Sequence, residues 1–281
     1  MAARTIRDVL TDAKARFAPI STSASLDAQL LLAEVLGVSR AHVIAHPEKS
    51  LTPAQSQQID DWVARRARGE PIAYILGRQA FYDRTFAVSS HVLIPRPETE
   101  HLLEMAIAYT QAHPRAVCVD VGTGSGALAV TLAAHAPSAT VHAVDVSAGA
   151  LAIARHNATT HAVTVQVHQG DLLLPLAQAG LTLDLVMANL PYIATETMHD
   201  LAVSQYEPHL ALDGGADGLD LIRRLLAQVP QVCAADALIL LEIGADQGQA
   251  VQHLAQQTLS PRAVYVVQDY AGLDRVVRIQ R

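Results

Sequence analysis

The sequence predicts an α/β protein: a seven-stranded, mostly parallel, doubly wound sheet preceded by a small N-terminal helical bundle. Three observations carry this. Before residue 75 or so, apolar residues recur at helical spacing with no strand pattern; from Pro97 onward, short apolar runs alternate with helical stretches; and only a short turn separates the last two runs. Alternating strands and helices specify a parallel sheet covered on both faces, because each crossover helix packs back onto the sheet it left. A short turn between two strands demands an antiparallel pair. With 281 residues, 51% hydrophobic and 17% charged, the chain has room for a catalytic domain and a smaller companion, and disorder is excluded.

Taken in order, Ile6, Val9, Leu10, Ala13 and Phe17 share one helical face, and Leu26, Leu30, Ala33 and Leu36 share another, stopped by Gly37. Thr52-Pro53-Ala54-Gln55 has capping-box spacing with proline at the first helical position, and the helix it opens ends near Gly69. Residues 1–75 are therefore expected to form the bundle. A linker at 76–95 holds a short hairpin, Ala80-Phe81-Tyr82 and Arg84-Thr85-Phe86-Ala87-Val88 joined at Asp83. The α/β domain occupies 96–281, with helices predicted over 98–112, 127–135, 148–158, 219–229 and 247–257. Its strands fall at 116–121, 140–144, 163–168, 183–188 and 237–243, followed by a terminal antiparallel pair at 263–267 and 276–279.

Composition removes several classes of function. A net charge of −7 argues against nonspecific nucleic-acid binding, which depends on a basic face. The longest stretch free of Asp, Glu, Lys and Arg, 121–144, is broken by Gly, Ser, Thr, His and Pro and does not read as a membrane span. The first 16 residues carry scattered charges and no continuous apolar region, so a cytoplasmic protein without a secretory signal is expected. Cys118 and Cys233 form no Cys-x-x-Cys pair, and the 13 histidines are scattered, which points to neither disulfides nor a metal site.

Asp120-Val121-Gly122-Thr123-Gly124-Ser125-Gly126 runs from a strand directly into a helix, and its glycines permit a tight turn that a ligand can approach. With Ala127 the segment also satisfies Gly-x-Gly-x-x-Ala, so a nicotinamide or flavin dinucleotide stays open. Asp145 ends the second strand, where an acid takes ribose hydroxyls in either class of fold; ahead of Val146-Ser147 it also reads as a helix cap. Asp171, in Gly170-Asp171-Leu172, reads as a third strand-end acid or as a turn residue. Asn189-Leu190-Pro191-Tyr192 closes the fourth strand. As a plain motif it is a strand-to-loop turn. As chemistry, the Asn189 side-chain carbonyl and the Leu190 main-chain carbonyl are two acceptors for the two N–H donors of a conjugated NH2 group, a poor nucleophile that must be held in line with its electrophile.

The order of glycine turn, second-strand acid, third-strand acid and fourth-strand asparagine resembles the S-adenosylmethionine-dependent methyltransferases. The tetrapeptide resembles their Asn-Pro-Pro-Tyr motif, with Leu190 in place of the first proline. Gly69-Glu70-Pro71-Ile72-Ala73-Tyr74-Ile75-Leu76-Gly77, Leu93-Ile94-Pro95-Arg96-Pro97-Glu98-Thr99-Glu100, Tyr206-Glu207-Pro208 and Asp213-Gly214-Gly215-Ala216-Asp217-Gly218-Leu219 extend the likeness over nearly the whole chain. Together they resemble the protein-glutamine N5-methyltransferase family that acts on peptide chain release factors.

The resemblance implies a class I methyltransferase fold that binds S-adenosylmethionine and leaves S-adenosylhomocysteine. Asp120, Gly122, Thr123, Gly124, Ser125 and Gly126 would lie at its methionine part, Asp145 and Val146 at the ribose, Asp171 and Leu172 at the adenine, and Asn189 beside the reacting centre. It also implies that Asn189, Leu190, Pro191, Tyr192, Arg96 and Glu98 receive the glutamine of the Gly-Gly-Gln loop of class I release factors, with Tyr192 on the flat amide face. The bundle would then grip the factor, with no membrane and no direct nucleic-acid contact. A glutamine methyltransferase of a ribosomal large-subunit protein, a nucleic-acid amino-methyltransferase, a dehydrogenase and a non-catalytic binding module are the rivals. Leu190 keeps an N–H that proline lacks, but Pro191 still biases it toward an extended conformation, so its carbonyl survives as an acceptor.

Overall fold

In the computed structural model, which describes residues 4–198 and 201–281, the chain divides into two units, Met1–Gly77 and Arg78–Arg281. The first unit consists of α1 (Ile6–Phe17), α2 (Ala24–Leu36), α3 (Arg40–Ala45), α4 (Pro53–Ala67) and α5 (Ile72–Leu76). Capping boxes open its two best-defined helices. The Thr5 side chain accepts from the Asp8 N–H while the Asp8 side chain accepts from Thr5, and Thr52 and Gln55 repeat the exchange with Pro53 in the first turn. Each box satisfies backbone donors that a helix start leaves without partners.

On α1 the predicted face is buried, with Leu10 at its margin. On α2 it is not. Ala24, Ala28, Leu31 and Leu32 face the core, while Leu26 is 38% exposed and Leu30, Ala33 and Leu36 are only half-buried. Three consecutive leucines, Leu30 to Leu32, let either face read as apolar, and the choice falls on the one that contains an acid. Asp27 is buried because Arg66 of α4 donates to it from Nε at 2.9 Å.

The second unit begins with a hairpin, β1 (Arg78–Phe81) and β2 (Arg84–Ala87), turned at Tyr82, whose φ is 55°. Phe81 and Phe86 join the core that holds Leu102, Leu103 and Leu128, so the expected linker hairpin counts with the sheet domain. A 3-10 turn at Pro97–Thr99 leads into α6 (Glu100–Ala112). Then come β3 (Val117–Val121), α7 (Ala127–His135), β4 (Thr140–Asp145), α8 (Ala148–Thr160), β5 (Gln166–Gln169), α9 (Leu174–Gln178), β6 (Leu183–Ala188) and α10 (Thr195–Met198). The chain finishes with α11 (Asp220–Val232), β7 (Cys233–Glu242), α12 (Gly248–Leu259), β8 (Ala263–Gln268) and β9 (Asp274–Gln280).

The seven-stranded sheet has the order β5-β4-β3-β6-β7-β9-β8. Neighbours from β5 to β7 are parallel, and β9 runs antiparallel to both β7 and β8. Helices cover both faces, giving two cores. One is built on Leu176, Leu225, Leu226 and Val251, the other on Leu102, Leu103, Leu128 and Leu132. Two strands differ from expectation. β5 starts at Gln166 because its ladder with β4 begins there, leaving Val163 and Val165 to pack without pairing. β7 starts at Cys233, earlier than predicted, because a register shift lets Cys233 pair with Leu183 before Leu238 pairs with Leu185. Among the described residues no helix is long and apolar enough to cross a membrane.

The Asp27–Arg66 pair is nearly dry, with side chains 8% and 13% exposed. Removing one member of such a pair strands the other charge. Asp27→Ala is expected to lower the stability of the first unit by roughly 3 to 5 kcal/mol, read as an earlier urea midpoint for the helical signal.

Candidate active site

Asp120, at the end of β3, is buried and braces the turn that follows it. Its Oδ2 accepts from Thr123 Oγ1 at 2.6 Å and from the Ala129 N–H of α7 at 3.2 Å. Burial outweighs these bonds and raises its pKa to about 7. The turn needs its glycines for conformation and for room. Gly122, Gly124 and Gly126 have φ of 72°, 54° and 81°. A Cβ on Gly122 would lie 3.0 Å from Leu190 Cδ2, and one on Gly126 would lie 3.2 Å from Ala154 Cβ.

Four of the N–H groups of this turn are already engaged. Those of Gly122 and Thr123 donate to the Val144 carbonyl at 2.8 and 3.0 Å, that of Gly126 to the Thr123 carbonyl at 2.8 Å, and that of Gly124 to Asp145 Oδ2 at 3.0 Å. A dinucleotide pyrophosphate favours free N–H donors at this place, and here it would also stand beside two carboxyl groups, Asp120 and Asp145. A ligand that carries positive charge fits the same surroundings. Asp145 also accepts from the Ser147 N–H at 2.9 Å, while the helix cap is Ser147 itself, accepting from Ala150. Burial raises the Asp145 pKa against those bonds. Asp171 forms an ion pair with Arg224 of α11, and Leu172, at φ 52°, is buried beside it.

Parallel pairing of Val121 with Ala188 sets the glycine turn next to the tetrapeptide. Asn189 Nδ2 donates to Thr99 Oγ1 at 3.0 Å. Glu242, buried at the end of β7, has its pKa raised to about 7 by burial. The nitrogen of the Asn189 amide is thus engaged by the protein, and its oxygen is the atom left to accept from a ligand. Leu190 is buried against the glycine turn, a packing role absent from the motif-based expectation.

The Asp213–Leu219 segment makes room for the tetrapeptide backbone. A Cβ on Gly214 would stand 2.7 Å from the Pro191 carbonyl oxygen, and one on Gly218 would stand 2.3 Å from that of Tyr192. Gln247 Nε2 donates to the same Tyr192 oxygen at 2.9 Å.

One cavity of about 370 Å³ gathers most of the expected residues, a volume suited to a small-molecule ligand. Asp120, Gly122, Thr123, Gly124, Ser125, Asp145, Val146, Asp171, Leu172, Asn189, Leu190, Pro191 and Arg96 line it. Gly126 stands behind it as the cap of α7. Glu98 is exposed and outside the lining, and Tyr192 is half-buried and also outside, within electrostatic reach of Glu242, Arg275, Arg96 and Glu98. Arg96 is clamped by Glu207, whose second oxygen accepts from the Ile94 N–H at 3.1 Å.

Sequence reasoning missed Thr99, Glu207, Glu242 and Asn157. Asn157 lies on the buried face of α8 with Leu151, Ala154 and Ala158, a place in the helical period that marks a working polar residue. Its Nδ2 donates to the carbonyls of Ser125 and Ala87 at 2.8 and 3.0 Å and its Oδ1 accepts from the Ala87 N–H at 2.8 Å, tying β2 to the glycine turn.

Because the folded-state pKa of Asp120 is raised from 3.8 to about 7, the folded protein holds that proton more tightly than the unfolded chain. The stability linked to it is full below the unfolded pKa and is lost as pH rises through the folded one. Urea titrations between pH 5 and 8, about the window of that shift, are expected to show wild-type stability falling with pH. In Asp120→Asn, which keeps an acceptor for Thr123 and Ala129, the fall should be smaller, the remainder tracking Glu242.

Comparison with known proteins agrees with this geometry. Residues 8–77 match the PrmC N-terminal domain family, and residues 99–206 match the methyltransferase small domain family. The ribosomal protein L11 methylase from Lactobacillus delbrueckii subsp. bulgaricus shares the fold at 19% identity and TM-score 0.50, over 69% of this chain and 83% of that one. The release factor glutamine methyltransferase of Bacillus cereus is 37% identical, with 89% of this chain and 90% of that protein aligned. That of Moorella thermoacetica is 40% identical over 96% of each. Likeness at this level over almost the full length, together with an asparagine clamp beside a glycine turn, shows that the chain belongs to the release factor glutamine methyltransferase family.

Proposed function

We propose that this protein transfers the methyl group of S-adenosylmethionine to the side-chain amide nitrogen of the glutamine in the Gly-Gly-Gln loop of class I peptide chain release factors. The observation that carries the reading is the anchored Asn189 amide, whose nitrogen donates to Thr99 and whose oxygen is left for a donor. When bound, the cofactor supplies a methyl group activated on a positively charged sulfur. Asp120 and the glycine turn hold its methionine part, Asp145 with Val146 takes the ribose, and Asp171 with Leu172 takes the adenine. Two acids at the first two strand ends suit the cationic portion of such a ligand.

On the substrate side, Asn189 Oδ1 and the Leu190 carbonyl each accept one amide N–H and aim the nitrogen into the cavity. Positive charge develops on that nitrogen as it is alkylated, so both hydrogen bonds strengthen toward the transition state. The alkylated amide is acidic enough to lose a proton to water, and no dedicated base is needed. Arg96 and Glu98 meet loop residues flanking the glutamine, while Tyr192, outside the lining, supports the clamp from behind in place of stacking on the amide. The helical bundle grips the body of the release factor. This activity belongs in the cytoplasm, and the charge of −7 disfavours direct nucleic-acid contact.

Mass spectrometry of release-factor peptides, after incubation with the protein and isotopically labelled cofactor, should show one methyl on the glutamine of Gly-Gly-Gln; label on a ribosomal protein instead would redirect the assignment. Asn189→Ala should lose roughly 2 to 4 kcal/mol in kcat/KM, and near-parental turnover would remove Asn189 from the mechanism. A chain lacking residues 1–77 is expected to lose more activity toward the intact factor than toward a short Gly-Gly-Gln peptide; equal losses would make the bundle a stabilising element only.

A further inference from the structure

Asn157 is almost fully buried on α8, and both N–H donors of its side chain are spent on main-chain carbonyls. One goes to Ser125, at the end of the glycine turn, at 2.8 Å, and the other to Ala87, the last residue of β2, at 3.0 Å. Its Oδ1 accepts from the Ala87 N–H at 2.8 Å, so the amide pairs with Ala87 in the way a residue on a neighbouring antiparallel strand would. His161, at the end of α8, sets Nε2 at 2.9 Å from the Thr85 carbonyl. Together these two side chains occupy the outer edge of β2. The Ser125 carbonyl has its own need of a partner. The first ladder bond of α7 runs from the Val130 N–H to the Gly126 carbonyl, and the Ala129 N–H goes to Asp120, so Ser125 lies just outside the helix and is met by Asn157.

The same face of α8 is small elsewhere. Ala150, Ala154 and Asn157 follow one another at helical spacing, with Gly149 beside the first of them. Ala150 lines the cavity, Ala154 lies against Gly126, and a Cβ on Gly149 would stand 2.6 Å from His91 Cδ2. Ala87 leads into the stretch that brings Ser90, His91, Val92 and Leu93 to the cavity as its second wall, facing the glycine turn. One helix therefore holds that wall at both Ala87 and His91, and holds the glycine turn at Ser125 and Gly126.

We infer that Asn157 is a positioning residue for the cofactor, an inference that rests on the assignment of this cavity to S-adenosylmethionine made above. Asn157 is not part of the lining. It acts by splinting two walls of the cavity to α8, so that a displacement of one is carried to the other. Without its N–H groups the Ser125 carbonyl loses its partner in a buried place, and the turn adopts its ligand-binding form only at a cost.

The test compares the intact protein with Asn157→Asp, which has nearly the same size but turns acceptors toward both carbonyls. By calorimetry with S-adenosylmethionine, Asn157→Asp is expected to raise Kd roughly 10-fold or more, the scale of a buried polar group left without its partner. At saturating cofactor, KM for a short Gly-Gly-Gln peptide should stay at the wild-type value. His161→Ala releases β2 but not the glycine turn, and is expected to lower the urea midpoint with Kd unchanged. Hydrogen exchange gives a reading independent of catalysis. Residues 84–88 do not line the cavity, yet their amides should gain protection when the cofactor binds the wild type, and should gain none in Asn157→Asp. An unchanged Kd in Asn157→Asp, an equal rise in His161→Ala, or wild-type amides at 84–88 that ignore the cofactor overturns the inference. If Asn157→Asp does not fold, the wild-type exchange measurement decides the matter alone. A wild type that binds the cofactor and shows the coupling but methylates no release-factor peptide defeats the functional reading and leaves the positioning role standing.

Discussion

The parallel pairing of β3 with β6 is the constraint on which the rest of the site depends. Strand order reverses there, so the helices that follow the two strands go to opposite faces and the crevice between their ends stays open. Pairing of Val121 with Ala188 brings Gly122 and Asn189, distant in sequence, to adjacent strand ends. A slip of one residue would turn Asp120 or Asn189 to the wrong face, because side chains alternate along a strand. The buried alternation of both strands against two separate cores makes that slip costly, so the site geometry is inherited from packing that never touches a ligand.

Two buried carboxyl groups, Asp120 and Glu242, and the half-buried Asp145, all with raised pKa values, stand at the ends of β3, β7 and β4. Each ionised form is disfavoured by burial, and Asp120 and Asp145 are retained beside hydrogen-bond donors of the glycine turn, α7 and the start of α8. A negative crevice selects against phosphates and for cationic ligands. The dinucleotide alternative suggested by Gly-x-Gly-x-x-Ala is disfavoured by these carboxyl groups and by the four turn N–H groups already bonded, and membership of the methyltransferase family sets it aside.

Most of the fold was legible in the sequence because local patterns and tertiary demands agree. The glycine turn, the capping box at Thr52 and the helix at 127–135 follow from spacing alone, and the structure places them as expected. The legible part of the site was the part borne on strand ends. What escaped was of two kinds. On α2, apolar residues ring the helix, and only the distant Arg66 decides that the face containing Asp27 goes inward. Thr99 and Glu207 act through partners far away in sequence, so no local spacing announces them. Glu98, next to Thr99, carried the charge that attracted attention, whereas its uncharged neighbour carries the contact. Tyr192 belongs to the motif, yet its carbonyl, held by Gln247 and crowded by Gly218, shows that the residue is placed by its backbone.

Leu190 has a consequence beyond the motif to which it belongs. Its side chain rests on the glycine turn, while its main-chain carbonyl lies in the clamp. One residue thus joins the glycine turn to the backbone of the tetrapeptide. Under the methyl-transfer proposal, a shift of the glycine turn would reach that carbonyl through a single Cα, and any coupling between the two ligands would by linkage be equal in both directions. A proline ring would make this junction stiffer and leucine makes it more compliant, so such coupling would be adjustable at one position with the acceptor carbonyl kept and only an N–H gained or lost.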